Sequence, residues 1–262
     1  GVASRLVTAL AVVLGWPSRR FGGSAGALAS ENAVRNPSRT ASTAAALMIG
    51  LALVSFVAVL GKGVHDSMNS AIRSQVVSPW VVTSQNGWSG FPVAAGVAAA
   101  HAPGVTEASS IRADRGIIGK VQVNVDGVDP QTISGLYHFD WKGGSSESTL
   151  QELNGDGALI KQSFAKRNHI ALGDRFILLS PSGDPVSLRA VGFYQPPPIA
   201  ELLGGVVIGQ DTFDATFPRA QNGYTLLDGS PTKAGLAKAL AAFPDTKAQT
   251  QSQFVKSQTS FM

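Results

Sequence analysis

Between Arg39 and Lys62 the chain runs for 22 residues, Thr40 to Gly61, without a single charge. At a rise of about 1.5 Å per residue a helix of that length reaches roughly 33 Å, against a hydrocarbon core of about 30 Å. Buried helices of water-soluble domains rarely run so far without a charge. A secretory signal needs a short apolar core close to the N-terminus and a small-residue cleavage site. This run begins about forty residues in, so the sequence predicts a retained transmembrane helix over 40–61. Thr40, Leu47, Leu51, Phe56 and Leu60 mark its length, with membrane lipid as their partner.

Charge sets the orientation. Residues 1–61 hold Arg5, Arg19, Arg20, Arg35 and Arg39 against Glu31 alone, which accounts for the whole net charge of +4. Basic flanks stay on the cytoplasmic side of a spanning helix. Residues 1–39 are therefore expected in the cytoplasm or on its membrane surface, and 62–262 outside the cell membrane. Because the excess charge sits beside the membrane and not on the folded part, it carries no nucleic-acid signal. There is no cysteine, which excludes disulfides and thiolate metal sites. The chain opens on Gly1 and closes on Met262 after a polar stretch, and a fragment of a longer protein is expected.

Within the first segment, residues 2–14 are apolar but too short to span a membrane. Trp16, Pro17 and the following glycines mark a loop, and residues 27–36 read as a short amphipathic helix on the membrane surface. Beyond the membrane, Val64, Met68, Ile72 and Val76 recur every fourth residue among polar ones, so 62–78 should be an amphipathic stalk. A free stalk and a helix packed on its own domain both fit that pattern.

Two strand–helix–strand units follow, at about 80–111 and 224–251. The first has a strand over 80–84, a helix from Pro92 to about His101 and a strand over 105–111. The second has a strand over 224–227, a helix from Ser230-Pro231 through Phe243, and a strand over 247–251. Two such units predict an α+β fold with a split βαβ, ferredoxin-like core over 79–132 and 222–252. Residues 133–221 read as an inserted β-rich subdomain, and 253–262 as the lead into another membrane helix. Val121, Val123 and Val125 alternate as in a half-buried strand, with Asp126-Gly127 as the turn after it. Residues 140–156 read as a polar Gly/Ser loop. Short strands are expected over 158–160 and 205–208, a short helix over 162–168, and a hairpin from 176–179 and 186–194 around Pro181–Pro185.

No catalytic constellation emerges. Walker spacing is missing around Lys62 and Lys120, so no nucleotide cofactor is assigned to this chain. His65, His101, His138 and His169 are scattered, Asp126 and Asp129 lack the rest of a calcium loop, and Asp211 and Asp214 suit a solvated face better than a dyad. Two apolar features stand out. Pro196–Ala200 with Leu202 and Leu203 forms a stiff, greasy loop. Pro197, Ile199, Leu202 and Leu203 are its candidates for touching lipid, a partner or a substrate, unless the loop is buried against the β subdomain. Trp80, Trp88, Phe91 and Trp141 suit either a core or a membrane interface.

Glu31-Asn32-Ala33-Val34-Arg35-Asn36-Pro37-Ser38-Arg39-Thr40, running into residues 41–60, resembles the entry to the membrane helix in FtsX-like permeases, the MacB-type subunits of ABC transporters. Ala171-Leu172-Gly173-Asp174-Arg175-Phe176 with Leu188–Phe193 resembles the Gly-Asp strand pair of their periplasmic core domain. The resemblance covers most of the chain from about residue 28. It implies a porter-like α+β core with a β-rich insertion and no enzymatic activity of its own. It also implies a separate ABC ATPase subunit that binds the ATP, and a homodimer or paired permease half. The outer domain would relay ATP-driven motion for export or extraction of a lipoprotein, lipid, peptide or drug. The family has four or more spanning helices and this chain one. A membrane-anchored binding or adhesion module, or a regulator of envelope hydrolases, is the competing expectation.

Overall fold

A computed structural model describes residues 28, 35, 37–199 and 201–259. The apolar run 2–14 and the loop after it lie outside the described residues. Of the expected surface helix over 27–36 only Leu28 and Arg35 are described, both helical and exposed. The chain divides into two compact units, residues 1–64 and 65–262.

Helix α1, Pro37–Gln75, is 39 residues long, and among the described residues it is the one helix long and apolar enough to cross a membrane. In the first unit Leu47, Leu51, Phe56 and Leu60 are each more than half exposed, as are their apolar neighbours. That much exposed hydrocarbon is costly in water and costs nothing in lipid. Thr40 and Val64 are half-buried.

The second unit is built on strands β1 (Trp80–Ser84), β3 (Val105–Ile118), β10 (Gln221–Gly229) and β11 (Thr246–Thr250), in the order β11-β1-β10-β3, every neighbour antiparallel. β1 and β3 thus run parallel with β10 between them, and β10 and β11 run parallel with β1 between them. Helix α2 (Val93–Ala100) bridges the first pair and α6 (Lys233–Ala239) the second. This is the interlocked double βαβ expected from the sequence. The two-residue period of the strands divides the core: Val82 and Leu227 pack under α2 and α6 with Phe91, Ala99 and Leu236. Val81 and Leu226, paired in register, face the opposite layer.

The remaining strands extend the same sheet. They are β4 (Val121–Val128), β5 (Trp141–Lys142), β6 (Gly157–Lys161), β7 (Arg175–Leu179), β8 (Pro185–Tyr194) and β9 (Val206–Gly209). β2 (Phe91–Pro92) adds to β10, and helix α4 (Gln162–Arg167) follows β6. Pairing runs β3-β4-β9-β6-β8-β7, and β7 returns to the far end of β3 through Ile117 and Ile118, so six strands close into a ring. Inward-facing Val123, Val125, Ala158, Ile160, Leu188, Ala190, Val206 and Ile208 fill it. The alternate residues Leu159 and Val207 point outward into the other core layer.

Several local expectations give way to tertiary contacts. The strand over 105–111 continues to Ile118, because its far half is held by β4 and β7. Asp126-Gly127 is not a turn: β4 runs through it to Val128, and Gly127 is there because Phe213 lies against it, where a Cβ would come within 2.5 Å of the ring's own Cβ. Phe213 belongs to α5 (Gln210–Thr216), a helix the sequence reading did not separate. The cap of α6 is Thr232, whose hydroxyl accepts from the Gly235 N–H at 3.0 Å. Ser230 is not the cap, since the helix begins only at Lys233 and Ser230 lies two residues before the capping position. That helix also stops at Ala239, short of Phe243. Residues 140–156 are not a featureless loop either. They hold β5 and a 3-10 helix, Glu147–Leu153, which buries Leu150 and Leu153 at the three-residue spacing that such a helix aligns.

Candidate functional site

Two features of the second unit bear on function: the junction that receives the end of α1, and a buried acid beside it. Met68, Ile72 and Val76 are buried, so of the two readings of the stalk pattern the packed helix is the one realised over these turns. Ile72 and Val76 share one core layer with Phe254 and Val255 of helix α7 (Gln251–Thr259), with Ile133 and Leu136 of helix α3 (Ile133–Leu136), and with Leu203. Hydrogen bonds lock the exit of α1. The Val77 and Ser78 N–H groups both donate to the Leu136 carbonyl, at 3.0 and 3.3 Å, and the His138 N–H donates to the Gln75 carbonyl at 2.7 Å. The Gln251 side chain, at the start of α7, donates to the Val76 carbonyl at 2.6 Å. The Tyr137 hydroxyl donates to Gln75 Oε1 at 2.7 Å, both residues buried. Of the expected lead over 253–262, residues 253–259 are helical as part of α7, and 260–262 lie outside the described residues.

From Tyr137 an aromatic cluster continues inward. Its ring meets Phe139 edge-on at 4.9 Å, and Phe139 meets Tyr194 edge-on at 5.7 Å. The Tyr194 hydroxyl donates to the Gly204 carbonyl, and the Gly204 N–H donates to Asp126 Oδ2. Asp126 is 4% exposed. Burial among these rings pushes its carboxyl up to about 7, opposed by the Gly204 N–H, which favours the charged form. Burial likewise pushes the Tyr224 hydroxyl up to about 12 and raises those of Tyr137 and Tyr194 well above the ordinary phenol range, with the charge of Asp126 adding to each shift. Asp126 also lines a cavity of about 440 Å³ between the 201–204 loop, β3, β4 and β10.

The predicted loop divides. Leu203 is buried, Leu202 is half-buried against the same core and lines the cavity, Pro197 is half-buried, and Ile199 is 37% exposed. Ala200 lies outside the described residues. Trp88 is exposed at the cavity mouth, Phe91 is buried under α2, and Trp141 stacks on Phe139 at 4.9 Å. Asp214 pairs with buried Arg112 at 3.0 Å, while Asp211 lines a separate cleft with Asp129. His101 bonds the Val97 carbonyl and His65 bonds Asn69, and among the described residues no three His, Asp or Glu converge as a metal site. Sequence reasoning missed Gln75, Tyr137 and Tyr194, and weighed Asp126 only as part of a calcium loop. The one available signal was an acid following the Val121, Val123, Val125 alternation, and the Asp-Gly pair disguised it as a turn.

The Gly-Asp motif now has a physical reason. Gly173 holds φ +87°, a left-handed conformation that side chains resist, and Asp174 Oδ2 accepts the Ala171 N–H at 2.7 Å, fixing the turn into β7.

A ferredoxin-like sheet elaborated by a closed ring of strands, preceded in the chain by a helix of membrane length, defines a mixed α/β domain of the kind found beside a membrane. Residues 40–251 match the family described as MacB-like periplasmic core domain, and the chain belongs to that family. Among solved structures it is similar to the periplasmic region of MacB from Actinobacillus actinomycetemcomitans, at 12% identity and a TM-score of 0.48, over 72% of this chain and 96% of that one. It is also similar to the extracellular domain of the noncanonic ABC-type transporter YknZ from Gram-positive bacteria, at 10% identity and a TM-score of 0.46, over 67% of this chain and 99% of that one. No curated protein matches the chain.

Proposed function

We propose that this chain supplies one membrane helix and the extracytoplasmic core domain of an ABC-transporter permease subunit, and that the domain relays motion driven by a separate ATPase. The observation that carries this reading is α1 itself, one unbroken helix from Pro37 to Gln75 whose last turn is hydrogen-bonded into the domain. On this reading, motion driven at the membrane biases the domain through the last turn of α1. Family membership and the arginine-rich lead-in support the same arrangement, with residues 1–39 toward the cytoplasm and the ATPase and residues 62–262 outside. ATP is bound by that partner, and the permease works as a homodimer or beside a second permease half, embedded in lipid. The moved cargo is a lipoprotein, lipid, peptide or drug.

The test is Ser67→Pro in the intact permease reconstituted with its ATPase. Ser67 is exposed, so a proline there interrupts the helix without removing core packing. ATP hydrolysis should continue while cargo movement is lost. Cargo movement at the unaltered rate would overturn the relay. Failure of any ATPase to co-purify with the intact protein would favour an anchored binding module instead.

A further inference from the structure

The cavity beside Asp126 is built like a binding site. Its volume of about 440 Å³ lies within the range of small-molecule pockets. Asp126 forms its floor, Trp88, Leu202 and Tyr224 its apolar walls, and Asp114 and Glu201 its acidic rim. The acid is the odd member. A buried carboxylate normally has its oxygens satisfied and a cation beside it. Here Oδ2 takes the Gly204 N–H, while Oδ1 accepts no hydrogen bond among the described residues, and the residue lines the cavity. Nor does a nearby base compensate it. Lys161 pairs with Glu201, and among the described residues no ion pair joins Arg115, also on the cavity wall, to Asp126.

A metal ion does not suit this arrangement, since among the described residues no three His, Cys, Asp or Glu side chains converge. A single positive charge on an apolar body does. It would give Oδ1 its missing donor, replace lost hydration with an ion pair, and lay hydrocarbon against Trp88 and Leu202. We propose that this cavity binds an organic cation, an ammonium or guanidinium group seated on Asp126 Oδ1 with its apolar part between Trp88, Leu202 and Tyr224. The site stands whether or not the domain relays ATP-driven motion.

The experiment titrates the full chain, labelled with 15N-glycine and held in a nonionic detergent, with benzylammonium. Benzyl alcohol and benzoate serve as neutral and anionic controls, and acetyl-Phe-Lys-amide as a peptide source of the same group. The Gly204 amide signal reports occupancy. Benzylammonium or the lysine peptide should shift it saturably, the tighter of the two identifying the source, while the controls should not. Asp126→Asn should weaken binding roughly tenfold or more. Trp88→Ala, at a side chain 66% exposed and therefore tolerated by the fold, should weaken it by about threefold or more. A saturable shift by benzyl alcohol equal to that by benzylammonium, no saturable shift by either cation, or unchanged affinity in Trp88→Ala or Asp126→Asn would each overturn the site.

Discussion

The hydroxyl of Tyr137 donates to Gln75 Oε1 at 2.7 Å, joining the last turn of α1 to the segment that enters the aromatic cluster. Both side chains are buried, so neither can replace the other with water. Tyr137→Phe should therefore cost about 0.5–1.5 kcal/mol, the net worth of a hydrogen bond between protein groups. Thermal unfolding of the detergent-solubilised chain measures it. The double variant Gln75→Leu with Tyr137→Phe should recover part of the loss, since both polar partners are then gone. A double variant as unstable as the sum of its parts would assign the loss to packing.

The raised carboxyl of Asp126 makes stability depend on pH. Its folded value of about 7 lies above the unfolded value near 3.8, so between these limits the folded state holds more protons than the unfolded. Its contribution is full below about pH 4 and falls by about 1.4 kcal/mol per pH unit until about pH 7, for a total of about 4 kcal/mol. Tyr137, Tyr194 and Tyr224 around it stay neutral throughout this window, and Glu201, which pairs with Lys161, is the neighbouring charge on the loop. Asp126→Asn should raise the midpoint of urea unfolding at pH 8 and do so far less at pH 5. Equal effects at both pH values would show that the acid is not held protonated.

The loop after β8 should respond unevenly to truncation. Leu203→Ala removes a fully buried side chain from the layer that also holds Ile72 and Val76, and should cost about 2–5 kcal/mol. Ile199→Ala removes one that is 37% exposed and should cost less than about 1 kcal/mol. Denaturant midpoints of the two variants provide the comparison.

Gly173 lies at φ +87°, with no atom near the position of a Cβ. Gly173→Ala therefore carries strain without a clash and should lose about 1–2 kcal/mol, while Gly173→Asn, which tolerates the left-handed region better, should lose less. Thermal midpoints rank them, and an alanine variant as stable as the parent would remove the conformational reason for the Gly-Asp motif.

The uncharged run, the placement of five arginines before it, and the doubled strand–helix–strand order were all legible in the residues, because each is written in local periodicity or length. The 80–84 strand, the α2 helix and the 176–194 hairpin lie where alternation and Pro/Gly punctuation put them. The stalk pattern of Met68, Ile72 and Val76 named the face but not what it meets, since a four-residue repeat marks an apolar stripe and is silent on its partner.

Local pattern thus determined a helix of membrane length, the basic bias before it and an α+β class. Tertiary structure alone decided that β7 returns to β3 and closes six strands into a ring, since pairing between distant strands leaves no trace in the periodicity of either. It alone turned Asp126-Gly127 from a turn into strand, by laying Phe213 on the glycine. It alone gathered Gln75, Tyr137, Tyr194, Gly204 and Asp126, scattered over some 130 positions, into one neighbourhood. Burial and the loss of water that comes with it belong to the assembled fold, and no single stretch of residues contains them.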